Sequence, residues 1–244
     1  MDEATGPPPL PMWPVDADVG YVTARLRLAE AERRLRDEIE RVAAARRELP
    51  LGALVADHAL TEGPADLSAA GPLRAIRLSA LFGAYRTLVV YHLMFHPDWQ
   101  SACPMCSLWV DGFHGVAHHL RQRTAFVVIG KAPARALRAW GARRGWDGLR
   151  LLSSHGTDFN ADLRAEYRNG DQRPMISVLV RTDDGVRHFY SQPANFVDGA
   201  ERGIDLLSPV WNVLDLLPDG RGDWYAGNTY PRLTGLTEPT DRPM

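Results

Sequence analysis

Cys103-Pro104-Met105-Cys106 holds the only two cysteines of a 244-residue chain, with proline directly after the first. Upstream, Thr87-Leu88-Val89-Val90-Tyr91-His92-Leu93-Met94-Phe95 is an apolar run that reads as a buried strand. His96-Pro97-Asp98-Trp99-Gln100-Ser101-Ala102 is the loop between them, and residues 106–120 carry helical periodicity. In the order strand, loop, Cys-Pro-x-Cys, helix, Cys103 falls at the helix N-cap. Unpaired backbone N–H groups and the positive end of the helix dipole favour an anion there. Thiolate, the nucleophilic form, is therefore favoured over thiol. Pro104 suits the first turn, because its missing N–H has no partner to lose. Cys106 lies one turn on, less exposed and close enough to close a disulfide. The spacing assigns Cys103 as the attacking thiol and Cys106 as the resolving one.

Composition narrows the setting. Hydrophobic residues make up 45% of the chain, enough for a proper core, so two cysteines are not needed as a staple. The net charge of −2 argues against nucleic acid or an anionic membrane as partner. Met1-Asp2-Glu3-Ala4-Thr5-Gly6 is acidic and then proline-rich, without the basic and apolar regions of a secretory signal. No apolar stretch approaches the ~18 residues of a membrane span. The expectation is a cytoplasmic protein, where a lone Cys-x-x-Cys is redox-active or metal-binding rather than structural.

Four segments are expected: a disordered proline-rich start (1–16), a helical arm (17–50), the main domain (51–217) and a C-terminal tail (218–244). In the arm, Tyr21, Leu28, Leu35, Val42 and Leu49 repeat every seven residues, flanked by Ala24, Ala31 and Ala45 and interrupted by Glu38. Glu30–Arg34, Glu32–Arg36 and Asp37–Arg41 stand at i,i+4 on other faces. The seam is either an arm that forms a homodimer or a helix that packs on its own domain. Within the main domain, Ala59-Leu60-Thr61 and Arg74-Ala75-Ile76-Arg77-Leu78 suggest an edge hairpin. Residues 124–129 read as a second buried strand, 133–144 as a helix stopped by Gly145, and 149–153 as a short strand. Asp158, Asn160 and Asp162 alternate like oxygen ligands, but without the glycine and glutamate of a calcium loop they read as a cap. Residues 175–181, the turn Asp183-Asp184-Gly185 and residues 186–191 form the clearest hairpin signal. A last helix is expected over 204–217, with Leu206, Leu207, Val210, Val213, Leu214 and Leu217 on one face. This order predicts an α/β fold of thioredoxin-like type, a mixed sheet flanked by helices, with an N-terminal helical arm.

Several stretches together resemble a bacterial thioredoxin-like family known as domain of unknown function 899. They are residues 90–99, Cys103-Pro104-Met105-Cys106-Ser107-Leu108-Trp109-Val110-Asp111-Gly112 and Ser153-Ser154-His155-Gly156-Thr157-Asp158-Phe159-Asn160. The Arg/Glu-rich helix ending in Leu49-Pro50 and residues 214–221 fit as well. The resemblance implies the thioredoxin-like fold and a Cys-x-x-Cys site, and no substrate. Two positions depart from the family pattern: His96 replaces glycine and His155 an aromatic residue, and both would put imidazole near the thiols.

Around the cysteines, Asp98 is a candidate proton acceptor and Trp99 a candidate lid over the sulfur. Pro174, just ahead of the hairpin, stands where thioredoxin-like folds commonly carry a cis-proline facing the Cys-x-x-Cys; the alternative is an ordinary trans proline that starts a strand. Asp111 is either a buried acid that takes the Cys106 proton or an exposed helix aspartate. The leading function is a dithiol–disulfide oxidoreductase acting on a protein or small-molecule disulfide, with no cofactor beyond the two sulfurs. One alternative is a copper- or zinc-binding or redox-sensing module built on Cys103, Cys106, His92 and His96. Another is a thiol peroxidase passing through a Cys103 sulfenic acid, although no Thr-x-x-Cys peroxide pocket is present. A third is a domain that keeps the fold without catalysis.

Overall fold

Asp18 accepts the backbone N–H of Tyr21 at 2.9 Å and so starts the first helix, α1 (Val19–Arg47). The computed structural model describes residues 11–195 and 202–229. The expected disorder over residues 1–10 and the far part of the expected tail, from 230, lie outside the described residues. The chain divides into two units, Met1–Pro50 and Leu51–Met244.

In the first unit, Tyr21, Leu28 and Leu35 remain about half exposed along α1. Of the three expected i,i+4 ion pairs only Glu30–Arg34 is formed. Glu32 pairs instead with Arg25, Asp37 with its neighbour Arg36, and Arg41 with Glu38. Apart from the partly covered Arg25, these side chains lie in water, where alternative pairings differ by only a few tenths of a kcal/mol.

The second unit runs β1 (Leu54–Val55), β2 (Ala59–Glu62), β3 (Arg74–Arg77), a 3-10 turn (Leu78–Phe82), β4 (Thr87–Leu93), α2 (Pro104–Leu120), β5 (Ala125–Gly130), α3 (Ala134–Arg144), β6 (Leu151–Ser153), α4 (Phe159–Asp162), β7 (Met175–Thr182), β8 (Gly185–Pro193), a second 3-10 turn (Asp205–Leu207) and α5 (Pro209–Leu214). The strands make one sheet in the order β1-β8-β7-β4-β5-β6-β2-β3. β4, β5 and β6 are parallel, whereas β7 runs antiparallel to β4 and to β8. The two parallel crossovers run through α2 and α3, which therefore lie on the same face.

Strand alternation on β4 sorts the core. Val89, Tyr91 and Leu93 face a cluster containing Cys106, Val110, Phe113, Leu137 and Trp140 under α2 and α3. Leu88 and Val90 face the opposite cluster, with Leu81, Phe82, Phe159 and Leu163. The far face is thus closed by a 3-10 turn and the short α4 rather than by a long helix. Gly141 of α3 sits so close to β6 that an added Cβ would collide with the Leu151 side chain. Gly145 then ends α3 in the left-handed region, φ 71°.

Three expectations are corrected. The helix over 204–217 is broken: Ser208 is extended, and only α5 forms as regular helix, with Pro209 at its first turn. The apolar face read there is largely in water, with Leu206, Leu207, Val213 and Leu217 exposed, while Ile204 and Trp211 are buried. The segment from 218 is not a free tail as far as residue 229. Ala226 joins the α2 core, and Asn228 donates from its side chain to the Ala102 carbonyl at 3.0 Å. Asp158 makes no side-chain capping bond at α4; Asn160 pairs with Ser154 at 2.6 Å and Asp162 with His58 at 2.8 Å.

Candidate redox site

Apolar β4 delivers the chain to a loop whose ends are tied together. The Cys103 N–H donates to the Met94 carbonyl at 2.9 Å, and the Trp99 N–H to the His96 carbonyl at 3.0 Å. Helix α2 then begins with Cys103 as N-cap and Pro104 inside the first turn. Both cysteines are free thiols; Cys103 is partly exposed and Cys106 is buried.

The electrostatics separate the two sulfurs. The Cys106 thiol donates to Cys103, and the backbone N–H groups of Cys106 and Met105 point at the same sulfur. Partial burial opposes these effects without cancelling them, and the Cys103 pKa is pulled down from 9.0 to about 6. Cys106 is displaced the other way. Burial raises its pKa well above the ordinary thiol range, reinforced by its hydrogen bond and charge interaction with Cys103. Only the Met94 backbone and the Tyr91 hydroxyl act to lower it. One sulfur is thus poised as an accessible anion and its neighbour is held as a thiol beneath it.

Cys103 opens into a cleft of about 530 Å³, lined by Met94, Asp98, Trp99, Ala102, Pro104 and Asn228 among others. Trp99 is 43% exposed on its wall. The Asp98 carboxylate is 88% exposed, with Oδ2 3.5 Å from His96 Nδ1, so it stands at the rim, turned to water. Pro174 immediately precedes β7, whose first residue pairs with His92. It therefore sits at the same sheet end as the loop, but its peptide bond is trans, since no cis bond occurs among the described residues. The strand-initiating alternative holds there.

Asp111 is engaged by other side chains. Its carboxylate accepts from the Trp146 indole N–H at 2.7 Å and pairs with the buried Arg144. Nor is the ligand set Cys103, Cys106, His92 and His96 assembled. His92 follows Val90 in the alternation, so its ring stacks on Phe159 across the sheet and bonds Ser177 Oγ at 2.9 Å. Burial there pulls its pKa down to about 3. Among the described residues no three His, Cys, Asp or Glu side chains gather as a metal group. His155, expected near the thiols, is exposed in the turn after β6.

Sequence reading missed Tyr91 and Asn228. Tyr91 was one apolar residue in an apolar strand, although its phenol is a polar handle that a buried site must explain. Asn228 gave no local signal, because its contact spans most of the domain.

A mixed sheet of order β8-β7-β4-β5 at its centre, with a Cys-x-x-Cys at the start of the helix after the central strand, defines a thioredoxin-like protein. The chain belongs to the family of bacterial proteins of unknown function designated DUF899, whose family model matches residues 12–234. No curated protein matches its sequence. Among solved structures it is similar to reduced 2-Cys peroxiredoxin of Plasmodium vivax, at 11% identity and TM-score 0.46, covering 68% of this chain and 96% of the other. It is similar to AhpC of Mycobacterium tuberculosis, at 17% identity and TM-score 0.46, covering 65% and 89%. A putative thioredoxin reductase of Burkholderia cenocepacia aligns at 20% identity and TM-score 0.42, covering 57% and 84%.

Proposed function

We propose that the protein is a dithiol–disulfide oxidoreductase whose attacking group is the Cys103 thiolate. The carrying observation is the division of labour between the sulfurs: Cys103 exposed and acidified at the opening turn of α2, Cys106 buried and protonated behind it. Cys103 attacks a substrate disulfide and forms a mixed disulfide; Cys106 then attacks Cys103 and releases the reduced product. These steps use only the two sulfurs and leave them joined as a disulfide, which an external dithiol such as dithiothreitol reduces to close the cycle. The open cleft suits a disulfide presented on a protein or a small molecule, in a cytoplasmic setting. Among the described residues no helix is long and apolar enough to cross a membrane.

Reduction of insulin tests this. Cys103→Ser should abolish turnover, and Cys106→Ser should stop after one attack with substrate bound to Cys103. Full turnover by either variant would overturn the proposal. Stoichiometric consumption of hydrogen peroxide in place of disulfide turnover would favour the thiol peroxidase reading. The half-exposed Tyr21, Leu28 and Leu35 support a homodimer through α1. Leu28→Glu with Leu35→Glu should then shift the sedimenting species to monomer.

A further inference from the structure

The proposed cycle leaves one difficulty. Cys106 must become a thiolate to resolve the mixed disulfide, yet it is buried and its proton is held tightly. In the resting dithiol its S–H donates to the Cys103 anion. Once Cys103 is joined to substrate that acceptor is gone, and the negative charge has to form on Cys106 in an apolar setting.

The groups that ordinarily take this part are engaged or remote. Asp111 is held by Trp146 and Arg144. His92 lies across the sheet on Ser177. Asp98 and His96 stand at the exposed rim of the cleft. His114, further along α2, accepts from the Gly148 N–H at 3.3 Å. Asp205 and Asp215, near Trp211, are paired with Arg202 and Arg221.

Tyr91 is different. It sits mid-strand between Val128 of β5 and Ile176 of β7. Alternation sends its ring under α2, 5.3 Å from the Phe113 ring, and it is completely buried. Its hydroxyl makes no well-formed hydrogen bond in the dithiol. A buried hydroxyl left in that condition is rare and costly, and calls for an explanation. Tyr91 and Cys106 share one buried cluster, and of the two sulfurs Cys106 acts on the phenol more strongly than Cys103.

Resting on the dithiol cycle proposed above, we infer that Tyr91 is a catalytic residue that donates a hydrogen bond to the Cys106 thiolate during resolution. In the resting state the sulfur is a neutral thiol, a poor acceptor, and the hydroxyl has little to bind. In the mixed disulfide the sulfur becomes an anion and the same hydroxyl acquires a strong, charge-assisted partner. Burial and the neighbouring sulfur hold the phenol pKa well above its usual value, so Tyr91 remains a donor throughout. The proton leaving Cys106 passes to solvent or to the departing substrate thiolate. The Cys106 electron pair forms the bond to Cys103, and the substrate sulfur departs with the pair of the broken bond. Substrate disulfide is thereby reduced and the protein dithiol oxidised by the same two electrons.

One equivalent of 5,5′-dithiobis(2-nitrobenzoate), mixed with the fully reduced protein in a stopped-flow instrument, reads both steps. Attack by Cys103 releases one coloured thiolate, and resolution by Cys106 releases the second. Tyr91→Phe keeps the ring and removes only the donor. The first phase should be unchanged and the second slowed roughly ten- to hundredfold, the loss of one hydrogen bond to an anion. An unchanged second phase would overturn the role of Tyr91 while leaving the dithiol cycle standing. Release of only one coloured thiolate per wild-type protein would remove both. Should Phe disturb the packing, 3-fluorotyrosine at position 91, a stronger donor of nearly the same shape, must speed the second phase; no acceleration overturns the inference.

Discussion

Removing the Cys106 thiol should make Cys103 a markedly weaker acid, and the size of the wild-type effect can be worked out beforehand. The structure places the Cys103 pKa at about 6, against 9.0 without its neighbours. At pH 7 a thiol of pKa about 6 is roughly 90% thiolate, and one of pKa about 9 roughly 1%. A more acidic thiolate is also a poorer nucleophile, losing about half a logarithmic unit of rate per pKa unit. Three units of acidification therefore raise the anion about 90-fold and lower its intrinsic reactivity roughly 20- to 30-fold. The anion population wins, by only a few-fold at pH 7. The pH profile is thus the sharper observable than the rate. The reduced protein would be treated with iodoacetamide across about pH 4 to 10, with modification of the Cys103 peptide followed by mass spectrometry. The wild-type rate should rise through pH ~6 and be flat by pH ~7.5. In Cys106→Ala the largest acidifying contact is gone and only the Met105 and residue-106 backbone N–H groups remain, so the midpoint should move up. A wild-type midpoint near the free-thiol value of about 8.5 would refute the reasoning, because the helix start would then be doing nothing to the sulfur.

Stability of the reduced protein should depend on pH with a definite sign. Cys103 has a depressed folded pKa, so its contribution is full above the unfolded pKa and is lost as pH falls through about 6; the raised pKa of Cys106 reverses the trend above the unfolded value. Urea titrations should show stability rising between pH ~6 and ~9 and falling beyond, a pattern that Cys103→Ser should flatten on its lower limb. His92, buried and neutral with a folded pKa of about 3, should cost up to roughly 4 kcal/mol as pH drops from ~6.5 to ~3, since only the unfolded chain takes up its proton. Substituting His92 by Gln should shallow that acid limb in the same titration. Asp111→Asn should lower stability by about 2–4 kcal/mol, because the buried Arg144 loses its carboxylate, while both phases of the dithiol reaction keep their rates. Asn228→Ala should cost about 1 kcal/mol in denaturant unfolding, through the lost bond to the Ala102 carbonyl.

The centre of the fold was legible because its signals are local. β4 is a continuous apolar run, α2 begins where Cys103 and Pro104 sit, and the β7–β8 hairpin is announced by Asp183-Asp184-Gly185. The edges were not legible for equally physical reasons. β1 has only two residues, Leu54 and Val55, too few to show a period, and it exists because β8 offers it partners. Leu206, Leu207, Val210, Val213, Leu214 and Leu217 have helical spacing, but Pro209 can start a helix and cannot sit inside one, so regular helix is confined to Pro209–Leu214. At the site, the placing of Cys103 at the start of α2 and of Cys106 buried one turn behind it followed from spacing alone. What lay outside spacing were contacts made by folding: Asn228 reaching Ala102, Asp111 captured by Trp146, and His92 turned away from the cysteines by strand alternation.

The account stands most directly on whether the two sulfurs join each other. Mild oxidation of the full chain, followed by non-reducing digestion and mass spectrometry, should give a single peptide lighter by two hydrogens, with Cys103 bonded to Cys106 of the same chain and fully restored by dithiothreitol. Two thiols that stay free under those conditions, or that link only between chains, would contradict it.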